Sequence, residues 1–228
     1  MTIRGTRLEI RPCVAILSLA LLLVGCAARQ PCASTVLEQY YKSGRYFSEL
    51  GEAAGRATRC LDSVPSSDRK AAIVLDIDET SLSNWSTIHD EGFCFDQSVW
   101  DRWVASATAP AIQPTLELYR TAIARGISVF FITARPESQR DATERNLRAA
   151  GFTTWARLIM KPQSTNYASA ACFKARERCA LSKEGWHIVL NVGDQPSDLS
   201  GECPSPPESI GVCADNAVLL PNPFYRVP

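Results

Sequence analysis

The amino-acid sequence predicts an α/β protein with a mainly parallel sheet and helices on both faces. Three observations carry this expectation. Short apolar runs at 71–75, 127–132, 156–160 and 187–192 alternate with stretches of helical period, the pattern of successive βαβ units. The first run, Ala-Ala-Ile-Val-Leu, is apolar at every position, as in a strand buried on both faces. Each run ends in residues able to do chemistry, in the place where open parallel sheets keep their ligands.

Taken in order, residues 26–70 form a helical segment ahead of the sheet. Leu37, Tyr40, Tyr41, Tyr46, Phe47 and Leu50 recur at helical spacing, with an interruption near Gly44, and the turn-forming residues 65–68 close the segment. The core domain then spans 71–228. After the first strand, residues 81–110 are dense in aromatics; they are too many for a turn and too few for a domain, so a small helical cap is expected there. Helices are expected at 114–125, 137–150 and from about 173 to 183. Gly126 and Gly151 stand where helices commonly terminate. A last short strand is expected at 217–220.

Residues 1–25 read as an export signal, because Arg4, Arg7 and Arg11 precede an apolar segment at 14–24 that is too short to span a bilayer. Leu23-Val24-Gly25-Cys26 resembles the bacterial lipobox, which makes Cys26 the expected lipidation site and acyl chains the expected membrane tether. Ala27 follows it, not the Asp that marks inner-membrane retention, so the expected location is the outer membrane. Basic and acidic residues number 24 each over the whole chain, and no basic patch points to a nucleic-acid polymer as partner.

Seven cysteines follow Cys26, a density that suggests disulfides in an exported protein. Cys203 and Cys213 bracket a Pro-rich loop and are the favoured pair; Cys32–Cys60 and Cys94–Cys172 are the other expected pairs, which leaves Cys179 as a buried thiol. Cys172 and Cys179 on one straight helix would stand about 10 Å apart, beyond disulfide reach.

The strand ends deliver Asp76 and Asp78, then Thr133-Ala134-Arg135, then Lys161, then Asp194 and Asp198. Any one has a bland explanation as a cap, a turn or a solvated charge. Together, Asp-Ile-Asp-Glu-Thr at 76–80, Phe-Ile-Thr-Ala-Arg at 131–135, Met-Lys-Pro at 160–162 and Gly-Asp-Gln-Pro-Ser-Asp-Leu at 193–199 resemble, in order, the four motifs of the haloacid dehalogenase superfamily. The likeness is to its acid phosphatases, which include bacterial class B and C enzymes and plant vegetative storage proteins. Pro221-Asn222-Pro223-Phe224-Tyr225 also looks like the plant members. The resemblance implies a Rossmann-like core and a Mg²⁺-dependent phosphomonoesterase acting on small substrates, with 5'-nucleotides among the candidates.

By the same resemblance, Asp76 is the nucleophile, Asp78 the acid and base, and Thr133, Ala134 and Lys161 the phosphate grip. Asp76, Asp78 (through its carbonyl) and Asp194 would hold the metal, with Asp198 supporting its waters or Lys161. Arg135 either joins the site or pairs with an acidic neighbour. The chemistry fits these residues, since phosphomonoester hydrolysis demands positioning, charge neutralisation and proton transfer together. In the cap, Trp85, Phe93 and Phe95 are the candidates to meet substrate, whereas Trp100 and Trp103, three apart on a helix, are expected to pack on the core. Thr80 reads as a turn-former. The Cys-x5-Arg spacing of Cys172 and Arg178 lacks the glycines of a phosphate loop and looks helical, and Ser81 stands where a calcium loop needs Gly. The alternative to an enzyme is a binding or storage-like lipoprotein on the same scaffold with catalysis lost.

Overall fold

The computed structural model describes residues 35–164, 167–199 and 216–226. Its element order is α1 (Thr35–Lys42), α2 (Arg45–Asp62), β1 (Ala71–Leu75), α3 (Trp85–Asp90), α4 (Gln97–Ser106), α5 (Gln113–Ala124), β2 (Ser128–Pro136), a 3-10 turn (Glu137–Gln139), α6 (Arg140–Ala149), β3 (Arg157–Lys161), α7 (Ala170–Lys183), β4 (His187–Gly193), α8 (Pro196–Leu199) and β5 (Ala217–Leu219). The expectations for Cys26, Cys32, Cys203 and Cys213 concern residues outside those described. No described helix is long and apolar enough to cross a membrane.

The five strands are all parallel, in the order β3-β2-β1-β4-β5. Strand β1 is first in the chain and the middle of the sheet, so the chain winds outward in one direction through β2 and β3 and in the other through β4 and β5. The carboxyl ends on either side of β1 therefore border a crevice at the point where the winding reverses. Alternate residues of β1 face opposite ways. Ile73 and Leu75 belong to a large core with α2, α5 and α6, while Ala72 and Val74 join a smaller one with Phe173 and Leu181 of α7. Burial on both faces explains the unbroken apolar run.

The N-terminal helices belong to this core. On α2, Tyr46, Leu50, Ala53, Ala57 and Leu61 are buried at helical spacing. The break before it falls at Gly44, whose φ of 82° lies in the left-handed region that glycine enters without a steric penalty. The cap segment contains α3 and α4, and its two ends are pinned together at the core: Ser83 N–H donates to the Pro110 carbonyl at 2.9 Å, and Ile112 N–H donates to the Ser81 carbonyl at 3.0 Å.

Strand β2 runs four residues beyond the sequence expectation, because Pro136 pairs with Lys161 across a register shift that follows Thr133. Irregular pairing of this kind re-aims side chains near sites, and here it falls on Thr133, Ala134 and Arg135. The expected single helix over 137–150 is divided into the 3-10 turn and α6.

Two cysteine expectations are overturned. Cys172 is free and exposed in the first turn of α7, so it is not bonded to Cys94, and Cys179, expected as a thiol, is disulfide-bonded, as are Cys60 and Cys94. The α7 helix places Cys179 on its buried side and Cys172 in solvent. The expectation that these two do not bond to each other holds.

Gly193, where β4 turns into α8, is required by close packing: an added Cβ would stand 2.1 Å from Asp198 Cβ. A Gly193→Ala substitution should therefore destabilise the fold by at least the 1–3 kcal/mol typical of overpacking, or about that much again if the turn cannot move. Urea unfolding of the variant against the parent measures this, and equal midpoints would contradict the packing described.

Candidate active site

The loop after β1 is wound tightly around one carbonyl. Ile77 C=O accepts from the N–H groups of Thr80, Ser81 and Leu82 at 3.3, 2.8 and 2.8 Å, and Ser81 Oγ donates to the Asp76 carbonyl at 2.6 Å. This winding forces Glu79 to a φ of 56°, an unusual conformation for a residue with a side chain. Its buried carboxylate compensates by accepting from Asn84 N at 2.6 Å, Asn84 Nδ2 at 3.0 Å and the Tyr225 hydroxyl at 2.8 Å. Burial pushes the Glu79 carboxyl up to about 8, against the pull of the Asn84 donors.

Asp76 is buried at the end of β1, with its N–H tied to the Val192 carbonyl of β4 at 3.0 Å. Lys174 Nζ of α7 reaches Asp76 Oδ1 at 2.5 Å and also bonds Asp198 Oδ1. Asp76, Asp194 and Asp198 offer carboxylate oxygens that all lie within 4.8 Å of one another. Asp194 accepts from the Thr80 hydroxyl at 3.1 Å, Gln195 Nε2 at 2.5 Å and Asn222 Nδ2 at 2.8 Å, while Asp198 Oδ2 accepts from Gln195 N at 2.9 Å.

Three buried carboxylates thus share one ammonium. Burial raises the Asp76 pKa well above the usual range; Lys174 opposes this, and the charges of Asp198, Asp194 and Asp78 add to it. Asp194 is raised by burial and then by Asp198, against the Asn222 and Gln195 donors and Lys174. Burial works to lower the Lys174 pKa, but Asp76 and Asp198 raise it by more, so this lysine stays protonated. A cluster of hard oxygen donors with too little positive charge is a chemical fit for a divalent cation such as Mg²⁺.

Asp78 stands nearer the opening. The buried Arg135 guanidinium grips it, with Nη2 at 2.6 Å from Oδ1 and Nε at 3.1 Å from Oδ2, and Asn84 Nδ2 donates to Oδ1 at 3.0 Å. Of the two roles open to Arg135, the geometry gives the ion pair, although the residue also lines the cavity. Thr133 Oγ1 accepts from Arg135 N at 3.1 Å, which leaves its hydroxyl hydrogen available to an incoming acceptor.

Asp76, Asp78, Thr133, Ala134 and Asp194 all line one cavity of about 460 Å³. Lys161 does not line it. Half-buried at the end of β3, it stands where the sequence motif placed it, but the lysine that meets Asp76 is Lys174, thirteen residues on and in a different element. Asp198 contacts this lysine, in place of the expected Lys161.

The cap divides the aromatic expectations. Of the three residues expected to meet substrate, Phe93 and Phe95 line the cavity and Trp85 does not. Its ring lies flat on Tyr41, with centroids 3.6 Å apart and planes 1° apart. Trp100, expected only to pack, lines the cavity instead and faces the Arg135 guanidinium at 5.7 Å. Trp103 packs against the core and also donates from Nε1 to Asn84 Oδ1 at 2.7 Å. Arg178, in the rejected Cys-x5-Arg match, lies on α7 and donates to the Ser197 and Asp198 carbonyls at 3.2 and 2.8 Å.

Sequence reasoning missed Lys174, Asn222 and Tyr225 as site residues. The one signal for the last two was the Pro221-Asn222-Pro223-Phe224-Tyr225 likeness to plant proteins; Lys174 had none, because it sits in an ordinary helical stretch.

A family model described as HAD superfamily, subfamily IIIB (acid phosphatase) matches residues 25–228. Acid phosphatase 1 of Solanum lycopersicum is 34% identical over 202 residues, which cover 87% of this chain and 75% of that protein. Stem 28 kDa glycoprotein of Glycine max is 34% identical over 163 residues, covering 69% of this chain and 61% of its own length. Among solved structures, the class C acid phosphatase from Bacillus anthracis shares the fold, with a TM-score of 0.66, 24% identity and 83% coverage of both chains. The parallel sheet, the carboxylates gathered at its switch point and the family match together place this chain in the haloacid dehalogenase superfamily, subfamily IIIB, as an acid phosphatase and hence a phosphomonoester hydrolase.

Proposed function

We propose that this phosphatase works by two displacements at phosphorus, with Asp76 as nucleophile. The observation that carries the reading is that Asp76 and Asp78 of the loop after β1, Thr133 of β2 and Lys174 of α7 open onto one cavity. An Asp76 carboxylate oxygen bonds to phosphorus as the ester oxygen departs, and Asp78 gives that oxygen its proton. Water then attacks the aspartyl phosphate, Asp78 takes a proton from it, and the Asp76–phosphorus bond breaks. The Thr133 hydroxyl and the N–H groups after it grip phosphoryl oxygens. The Lys174 ammonium offsets charge at Asp76 throughout.

Asp76 and Asp194, with the Asp78 carbonyl, are the residues that would hold Mg²⁺, and Asp198 would stand beside them. When bound, the ion supplies the positive charge that lets an anionic nucleophile approach an anionic phosphoryl group. Small phosphomonoesters are the proposed substrates, 5'-nucleotides among them. The lipobox-like junction at Cys26 and the disulfide-bonded Cys60, Cys94 and Cys179 support an exported, outer-membrane lipoprotein.

Four outcomes are expected. Asp76→Asn and Lys174→Met should each lower turnover of an aryl phosphate by at least about a thousandfold, in the range of losses seen when catalytic groups are removed. Lys161→Met should stay within about threefold of the parent on the scale of surface substitutions. Parent-like rates for Lys174→Met would refute the assignment of that lysine. EDTA should abolish hydrolysis across a panel of nucleotides, sugar phosphates and aryl phosphates, and Mg²⁺ should restore it and raise the melting temperature; activity that persists in EDTA would rule out the metal. Labelled fatty acid should be incorporated in cells by the parent and not by Cys26→Ser, whereas an unlabelled parent would refute the lipid anchor.

A further inference from the structure

Three cationic side chains line the cavity: Arg135, Lys174 and Arg226. Carboxylates already answer two of them. Arg135 grips Asp78, and Lys174 bonds both Asp76 and Asp198. Arg226 differs, for among the described residues its guanidinium has neither an ion pair nor a hydrogen bond.

The wall that carries it is nonetheless firmly built. Arg226 follows β5 in a segment anchored by the residues just before it: Asn222 Nδ2 donates to Asp194 at 2.8 Å, Phe224 N–H donates to Asn222 Oδ1 at 2.9 Å, and the Tyr225 hydroxyl donates to Glu79 Oε2 at 2.8 Å. Phe224 and Tyr225 line the same cavity, so three successive residues form one strip of its wall. The backbone at Arg226 is thereby held at the cavity, while its long side chain is exposed and no partner draws it aside. Such a side chain can turn toward an anion that enters.

Asp76, Asp78 and Asp194 mark the phosphoryl end of the site in the proposed hydrolysis. Arg226 pairs with none of these carboxylates and so stands apart from that end. The part of an ester that lies away from phosphorus is the leaving alcohol. Phe93, Phe95 and Trp100 offer that alcohol apolar surface, and Arg226 offers it a charge. A guanidinium fork matches the oxygens of a carboxylate or a phosphate, which it binds through two parallel N–H groups.

Resting on the phosphomonoesterase reading above, we infer that Arg226 is a specificity-determining residue that binds a second anionic group carried on the leaving alcohol. The favoured substrates are therefore esters with a negative charge at each end. Two sources carry this chemistry, a carboxylate and a second phosphate. Esters of neutral alcohols remain substrates, because the groups that meet the phosphoryl oxygens are the same for both, but they gain nothing from Arg226.

The test measures kcat/KM, with Mg²⁺ added, for anionic and neutral members of two sets of aryl phosphates. One set compares the 3- and 4-carboxyphenyl phosphates with the corresponding carboxamides. The other compares 4-(phosphonomethyl)phenyl phosphate with 4-methylphenyl phosphate, the phosphonate standing for a second phosphate that ester hydrolysis leaves intact. The anionic-to-neutral ratio of the full-length parent is set against that of Arg226→Gln and Arg226→Ala, each checked for a cooperative melt, so that misfolding of one variant leaves the other to decide. Comparing ratios between parent and variant cancels differences in leaving-group reactivity. In at least one set the ratio should fall by about fivefold or more, the upper range for an ion pair that water still reaches, and the set that responds identifies the source. A smaller change in both sets overturns the inference; that is the result if water alone meets Arg226, or if the variants lose rate equally on every ester because the guanidinium serves the phosphoryl end. Failure of the parent to hydrolyse any phosphomonoester is a separate result, one that sinks the underlying reading and this inference with it.

Discussion

The energetics of this protein turn on three carboxylates held out of water around a single ammonium. Each buried ion costs several kcal/mol of lost hydration, and one Lys174 cannot offset Asp76, Asp194 and Asp198 together. Much of the surrounding structure supplies what water would have given. Thr80, Gln195 and Asn222 donate to Asp194, and the Gln195 N–H donates to Asp198. Gly193 permits the backbone to approach Asp198 closely enough for that turn to exist. Sheet order brings the cluster about: because β1 and β4 are neighbours, Asp76 and Asp194 leave adjacent strand ends. A site of this kind is held at a cost to stability, consistent with the proposed binding of an ion and an anionic substrate.

A second constraint links that cluster to distant parts of the chain through Asn84. Its side-chain nitrogen holds both Asp78 and Glu79, and its side-chain oxygen accepts from Trp103 of the cap helix α4. Glu79 in turn receives the Tyr225 hydroxyl from the C-terminal segment, while the adjacent Phe224 packs against Tyr46, Trp85 and Phe93. Cap, strand end and C-terminus therefore share one hydrogen-bonded network, in which the loss of one member leaves others buried and unsatisfied. The left-handed backbone at Glu79 persists because its neighbours over-determine it.

The sequence made the sheet and most of the site legible because both are written in local patterns. Strand runs, helix periods and the Gly126 and Gly151 terminators each depend on neighbours in the chain, and Asp76, Asp78, Thr133 and Asp194 sit at strand ends whose spatial equivalence follows from the fold class. Lys174 was illegible for the opposite reason. Its role depends on α7 lying against the sheet so that Lys174 reaches Asp76 at the end of β1, which no spacing along the chain reports, whereas Lys161 ends a strand and fits the pattern without meeting Asp76. The tryptophans divide by the same logic: helical spacing marks Trp100 and Trp103 as facing inward, and Trp103 does pack on the core, but the inward side of a cap helix also borders the cavity, which Trp100 lines. The cysteine pairing failed because two residues on one helix, Cys172 and Cys179, differ in exposure, a property set by how deeply each turn of α7 is seated.

The two carboxylates of the first motif are alike in the sequence and separated by environment. Asp76 lies in the dry floor of the crevice, its side chain 6% exposed and in contact with an ammonium; Asp78 stands higher, 18% exposed and in contact with a planar guanidinium. In the proposed hydrolysis, these differences suit different work. A nucleophile gains from having no water to shed and a fixed cation beside it, and it needs no proton traffic. A group that gives a proton to a departing oxygen and later takes one from water must instead reach both, which requires a place where the cavity opens. Arg135 holds Asp78 at that place by its fork geometry, and Thr143 and Trp100 hold Arg135 in turn. Environment, set by which element each residue faces, thus gives two identical side chains two residues apart their separate roles.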